Sequence, residues 1–171
     1  MSEKFFYMHH RTTPDLQDFT ESLVKILYGP KLTLSWRTPQ DHLSYRYLRD
    51  CLGEDRVARH IRNRMMGHTM ALLHDDYPYQ AIMPLGGDLE RAGGGLSHLN
   101  LWSTDDTLLT PPNINMVVDM NFPGLSSLIF LHDKATTRSV RTIEHAHIIV
   151  DVEFGKSIIS RRYFDRIDFS V

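Results

Sequence analysis

Apolar residues recur along this chain with two different spacings, one in its N-terminal part and the other towards its C-terminus. Leu16, Phe19 and Leu23 stand three or four residues apart, which places their side chains on one face of an α-helix. Ala146 and Ile148 instead alternate with polar neighbours, which is the spacing of a half-buried β-strand. Helices first and strands later predict an α+β fold with a mainly antiparallel sheet formed by the C-terminal half.

The helical spacing predicts three N-terminal helices packed on that sheet, at about 13–28, 39–52 and 54–73. The first two begin at Thr-Pro pairs, Thr13-Pro14 and Thr38-Pro39. Threonine caps the free amides at the start of a helix, and proline suits the first helical position, so each pair indicates where a helix begins.

The strand spacing predicts a sheet of about five strands. Short loops between consecutive strands favour an antiparallel meander. One strand is expected at 113–122, where apolar residues alternate with asparagine and aspartate. The longest predicted strand is Glu144–Gly155, and a glycine-rich stretch at 86–95 predicts a loop. The other strand candidates are residues 4–8, 32–36, 79–83, 96–102, 128–131 and a final segment at about 159–171.

Composition is that of one globular domain covering residues 1–171, with 42% hydrophobic and 23% charged residues. The formal net charge is -2, so binding to a polyanion would require a local basic patch. The single cysteine, Cys51, excludes an internal disulfide framework, and we expect it to pack inertly on the apolar side of its helix. Without a signal peptide or an apolar run of about 18 residues, the expected location is the cytoplasm.

The histidines of the predicted strand Glu144–Gly155 are the sharpest candidates for metal chemistry. His145 and His147 would face the same way, about 6–7 Å apart, on the face that we expect to point outward. A third ligand would come from a neighbouring strand, with His132 or His98 as candidates. The pair resembles the beginning of the first metal-binding motif of cupins, but the later histidine of the second cupin motif is missing.

The doublet His74-Asp75 stands at the end of the third predicted helix and resembles the signature of HD-type phosphohydrolases. Those enzymes bind a metal through an earlier histidine, the His-Asp doublet and a later aspartate, all on helices. The resemblance implies that His42 or His68 would be the earlier ligand. Tyr77-Pro78 interrupts the helix directly afterwards, and this chain predicts strands where that fold needs further helices.

A basic face on the third predicted helix is the second candidate site. Four arginines lie within nine residues, on and beside the side opposite an apolar stripe: Arg56, Arg59, Arg62 and Arg64. Such a face neutralises phosphates or rests on anionic lipid, and its binding weakens as salt concentration rises.

These features favour a non-enzymatic interaction or assembly protein, because each catalytic motif lacks an obligatory partner. The expected partner is nucleic acid, an acidic surface or another protein, including a second copy of this chain, and no cofactor is expected. The alternative is a divalent-metal-dependent enzyme or a metal-binding β-sheet protein, with His145, His147 and His132 as ligands. In that alternative, the metal would lower the pKa of a bound water for hydrolysis.

Overall fold

The computed structural model of the protein describes residues 5–28, 39–74, 95–131, 143–152 and 161–164. These residues form four α-helices and a six-stranded antiparallel sheet, which confirms the predicted α+β class. The strands are β1 (Phe5–His9), β2 (Met70–His74), β3 (Gly95–Ser103), β4 (Ser127–Leu131), β5 (Glu144–Val152) and β6 (Arg161–Phe164). The helices are α1 (Pro14–Tyr28), α2 (Pro39–Leu52), α3 (Glu54–Arg64) and α4 (Pro111–Asn121), the last preceded by a short 3-10 helix, Asp106–Leu108.

The sheet places β5 near its centre, between β4 and β3. Its strand order is β1-β4-β5-β3-β2-β6, and every neighbouring pair is antiparallel. Because β1 lies beside β4 and β3 lies beside β5, the predicted meander of consecutive strands is wrong. Three helices separate β1 from β2 in the chain, and this long connection allows β2 to pair far from β1.

Helices cover both faces of the sheet. On one face, Ile114 of α4 packs in a cluster with Ile148 of β5. On the opposite face, Leu16 of α1 packs in a cluster with Ile149 of β5, and Ile61 of α3 belongs to a second cluster. The central strand β5 is therefore covered on both of its sides.

Helix α3 ends at Arg64, so the predicted helix at about 54–73 is too long. Met66 and Gly67 have φ angles of 54° and 82°, in the left-handed region where helices commonly end. The apolar residues that follow form β2, and its first four residues are buried. A continuous apolar run suits a strand covered on both faces, and spacing alone does not distinguish it from a buried stretch of helix.

The segment 113–122 is almost wholly part of α4, so the predicted strand there is wrong. The side chain of Thr110 caps the helix start, and Pro111-Pro112 occupies the first two helical positions. Met120, which the strand pattern placed on the same side as Ile114, is 62% exposed. The buried residues instead follow helical spacing: Ile114, Val117 and Val118.

The first two predicted helices are confirmed as α1 and α2, and Thr13 caps α1 by accepting a hydrogen bond from the Leu16 amide at 3.4 Å. Strands β1, β3, β4 and β5 fall where they were predicted. Cys51 is exposed, so its expected packing is wrong. Among the described helices, none is both long enough and apolar enough to cross a membrane. Two predicted strands, 32–36 and 79–83, lie outside the described residues, as does the predicted loop at 86–95 except for Gly95, which begins β3.

Candidate functional site

The paired histidines of β5 lie inside the protein, so the prediction that they face outward is wrong. His145 is 6% exposed and His147 is 2% exposed. Side chains two residues apart on a strand share a face, and Ile149 on this face packs with Leu16 of α1. The helices therefore cover the strand face that the polar side chains had predicted to be solvated.

His98 of β3 is the strand neighbour that meets this pair. Its Nε2 atom lies 2.9 Å from Nδ1 of His147, and its side chain is also buried. The register places Asn100 opposite His147, so His98 reaches the imidazole diagonally across the two strands. The structure thus brings together two histidines that the sequence proposed as neighbours, while His132 lies outside the described residues.

Aromatic rings pack against these imidazoles. Phe130 of β4 stacks on His147 with ring centroids 4.5 Å apart and planes 10° apart. Trp102 of β3 stacks on His145 at 4.2 Å, and the two histidine rings of β5 meet edge to face at 4.8 Å. Flat rings in such arrangements fill a protein interior closely, so this histidine cluster has the packing of a core.

The positions of donor atoms decide which side chains are able to share a metal ion. Within the described residues, the only three ligating side chains whose donor atoms all lie within 4.8 Å of one another are His9, His10 and Asp119. His145 and His147 are not part of that group, and a metal held by them stays a prediction.

The helical setting that the HD-type resemblance implies is wrong. His74 ends strand β2, His68 lies in the turn before that strand, and Asp75 lies outside the described residues. The ring of His68 stacks on Tyr163 of β6 at 4.9 Å. Neither His68 nor His74 therefore lies on a helix, where the resemblance would require both.

Helix α3 presents its arginines away from the sheet. Its opposite side is anchored in the core by Ala58 and Ile61, which are 1% and 7% exposed. The structure therefore confirms that the helix separates a buried apolar side from a solvated basic side. Of the four predicted binding residues, three are exposed and the last is half-buried: Arg56, Arg59, Arg62 and Arg64.

Arg56 and Arg59 carry positive charge that the described residues do not neutralise. Among those residues, no carboxylate oxygen lies within 4.0 Å of either guanidinium group. Helix α2 differs, because Arg46 and Arg49 both pair with Asp50, at 3.8 Å and 3.2 Å. Of these two helices, α3 therefore offers the stronger attraction for an anion.

Sequence reasoning missed a cluster formed by His9, His10 and Asp119 at the end of β1. The Nε2 atoms of the two histidines lie 2.8 Å and 2.7 Å from the same carboxylate oxygen, Oδ1 of Asp119. The two imidazole centroids are 4.1 Å apart. The side chains are 14%, 36% and 48% exposed, in that order, so the cluster is open to solvent.

Matched contacts between β1 and α4 position this cluster. The Tyr7 hydroxyl donates a hydrogen bond to Oδ1 of Asn115 at 2.8 Å. Tyr7 and His9 share one face of β1, and Asn115 and Asp119 are about one turn apart on α4, so the two elements meet through two pairs of side chains. His10 joins them from the residue after the strand, where its backbone is left-handed with a φ of 63°.

The two histidines also control the ionisation of Asp119. Partial burial raises the pKa of its carboxyl group, but hydrogen bonds from His9 and His10, together with their positive charge, lower it by more. The net result is a lowered pKa, so the group is a carboxylate at neutral pH and acts only as an acceptor or ligand.

Two features of the sequence pointed towards this cluster without identifying it. Adjacent histidines follow a short predicted strand, and Asp119 lies on the polar side of the segment 113–122, for which a strand was predicted. A strand and a helix both put Asn115 and Asp119 on one face, because the two residues are four positions apart. His9 and Asp119 are 110 residues apart in the chain, so no local pattern joins them.

Neither protein-family models, nor curated proteins, nor solved structures gave a match to this chain. Two surfaces of the described residues are therefore the candidates for function. One is the exposed side of α3 with its arginines, and the other is the cluster of two histidines and an aspartate where β1 meets α4.

Proposed function

We propose that this protein is a non-enzymatic interaction protein that binds nucleic acid through the exposed side of α3. The observation that carries the proposal is the charge on Arg56 and Arg59, for which the described residues supply no carboxylate within 4.0 Å. Exposed guanidinium groups form bidentate, charge-assisted hydrogen bonds with phosphate oxygens.

The inner side of α3 supports this proposal because it fixes the helix in place. Ala58 and Ile61 pack in one cluster with Leu73 of β2 and Trp102 of β3. A helix anchored in this way holds the Cα positions of its arginines before the partner arrives. Binding then costs less conformational entropy than it would on a flexible segment.

The outer side of α3 favours a hydrated phosphate backbone over a membrane. Besides the arginines, it exposes His60 and Asn63, whose side chains donate hydrogen bonds. A helix that lies on lipid needs an exposed apolar face. The apolar residues of α3, among them Ile61, are instead directed into the core, which leaves only polar groups for a partner.

A cytoplasmic location fits such a partner. Cys51 is the single cysteine of the chain, and its thiol is free and exposed. Free thiols of this kind persist in reducing compartments, where disulfide formation is disfavoured. We therefore propose that binding to nucleic acid takes place in the cytoplasm.

The test is the salt dependence of binding to a single-stranded RNA of mixed sequence, measured for the wild type and an Arg56→Ala/Arg59→Ala variant. Each phosphate contact on a single strand contributes about 0.7 to the slope of log affinity against log salt. Losing two contacts should therefore weaken binding and reduce the slope by about 1.4.

An Arg46→Ala/Arg49→Ala variant is the matched control, because it removes the same charge from α2, where both arginines already pair with Asp50. It should bind RNA with a slope close to that of the wild type. Identical curves for the wild type and the α3 variant would overturn the proposal. If polyglutamate displaced the RNA at equal charge concentration, the partner of this surface would instead be an acidic protein.

A further inference from the structure

The cluster where β1 meets α4 contains three side chains that bind metal ions in proteins. Nε2 of His9 and Nε2 of His10 both approach Oδ1 of Asp119, at 2.8 Å and 2.7 Å. Imidazole nitrogens combined with one carboxylate suit borderline divalent ions of the first transition row, such as Zn²⁺. Hard ions such as Mg²⁺ prefer all-oxygen sites and suit this donor set poorly.

The backbone of His10 brings its imidazole beside that of His9. Successive side chains of a strand point to opposite faces, so adjacent histidines would normally diverge. The left-handed conformation of His10, with a φ of 63°, instead turns its ring towards that of His9. Histidine is one of the few residue types with a side chain that is enriched in this conformation.

The donor atoms are already close to the spacing that a metal ion imposes. A tetrahedral ion with bonds of about 2.0–2.1 Å holds neighbouring donor atoms about 3.3–3.4 Å apart. The donors of His9, His10 and Asp119 all lie within 4.8 Å of one another. The distance between two donor atoms therefore has to shorten by about 1.5 Å at most, and exposed side chains achieve this by rotating about their bonds.

The elements that carry the ligands are held together independently of any ion. Tyr7 bonds Asn115 next to the cluster, and Val117 and Val118 bury the other side of α4 in the core. Only side-chain rotation is then left to complete the site. Preorganised ligands of this kind bind more tightly than ligands on mobile segments.

We propose that His9, His10 and Asp119 form a binding site for a divalent transition-metal ion, with Zn²⁺ as the preferred occupant. Three protein ligands leave a fourth position, and the exposure of His10 and Asp119 opens that position to water. Metal binding at this site is independent of the nucleic-acid surface on α3, which lies on the opposite face of the sheet from α4.

The experiment is calorimetric titration of the full chain, prepared without a polyhistidine tag, with Zn²⁺ and separately with Mg²⁺. The wild type should bind one equivalent of Zn²⁺, with no matching signal for Mg²⁺. Asp119→Asn and His10→Asn should each weaken Zn²⁺ binding by at least about tenfold. Replacing a residue that only hydrogen-bonds a metal ligand already costs about that much, so replacing a ligand itself should cost no less. Asparagine suits position 10 because it tolerates the left-handed backbone.

Asp18→Asn and His60→Asn are the controls, since both residues are exposed on other helices and should leave Zn²⁺ affinity at the wild-type value. Co²⁺ gives a spectroscopic readout that does not depend on stability. Its visible absorption bands should appear with the wild type and change in Asp119→His, where an imidazole replaces the carboxylate. Absence of Zn²⁺ binding to the wild type, or equal affinity in Asp119→Asn and Asp18→Asn, would overturn the proposal.

Discussion

Nε2 of His98 and Nδ1 of His147 lie 2.9 Å apart inside the protein, joined by a hydrogen bond between β3 and β5. Such a bond needs an N–H on one ring and a lone pair on the other, so at least one of the two imidazoles is neutral. Both side chains are at most 4% exposed. Histidines that looked like the solvated side of a sheet thus form part of its core.

Replacing either member of this pair should destabilise the fold. His147→Leu removes a hydrogen-bonding partner of buried His98, at a cost of about 1–3 kcal/mol in the free energy of unfolding. His98→Leu should cost a similar amount for the same reason. The double variant should lose less than the sum of the two, by about 0.5–3 kcal/mol, because it removes both polar groups together.

Urea denaturation of the four proteins measures this coupling directly. A matched cycle with Ser97→Ala in place of His98→Leu controls for general effects, since Ser97 points to the other face of β3. Strictly additive losses for His98 and His147 would contradict a direct interaction between the two imidazoles.

The helical assignment of α4 makes opposite predictions for two of its apolar residues. Val117 is fully buried, so Val117→Ala should leave a cavity and destabilise the protein by about 1–3 kcal/mol. Met120 is 62% exposed, so Met120→Ala should change stability by less than about 0.5 kcal/mol. A strand over the same residues would reverse this order, and thermal denaturation of the two variants distinguishes the cases.

Tyr7 should make the fold sensitive to alkaline pH. Burial raises the pKa of its hydroxyl to about 12, from 10.0. Because the folded value is the higher one, the contribution of Tyr7 is fully present below pH 10 and is lost as the pH rises towards 12. The free energy of unfolding of the wild type should therefore fall more steeply across this interval than that of Tyr7→Phe.

Denaturant titrations at a series of alkaline pH values provide the measurement. Tyr47→Phe is the control, because Tyr47 is 72% exposed and its replacement should leave the slope of the wild type unchanged. If the free energy of unfolding fell equally steeply with pH in the wild type and in Tyr7→Phe, the raised pKa of Tyr7 would be contradicted.

Local chemistry was enough to predict the elements whose ends are marked by their own residues. Thr13 and Pro14 specify the start of α1, and the strand spacing of β5 needs no distant information. The same reasoning failed at Met70–His74, since a short apolar run fits a buried helix or a buried strand equally well. Only the neighbouring strands β3 and β6 decide between them.

The candidate sites depended still more on contacts between distant residues. The arginine side of α3 was predictable, because a helix with one apolar face has to present the other to solvent. The burial of His145 was not predictable, because it depends on helices from elsewhere in the chain that cover the sheet. The meeting of His9 with Asp119 joins residues 110 positions apart, so spacing along the sequence carries no record of it.

The order of strands also affects how the chain folds during its synthesis on a ribosome. β1 leaves the ribosome before the other described strands, yet its only partner among them is β4, which begins at Ser127. At about 5–20 residues per second, the roughly 120 residues between them take about 6–24 s to synthesise. For most of that time, β1 lacks the described strand with which it pairs, and His9 lacks Asp119. Among the described strands, β1 therefore waits longest between its own synthesis and its first pairing with another strand.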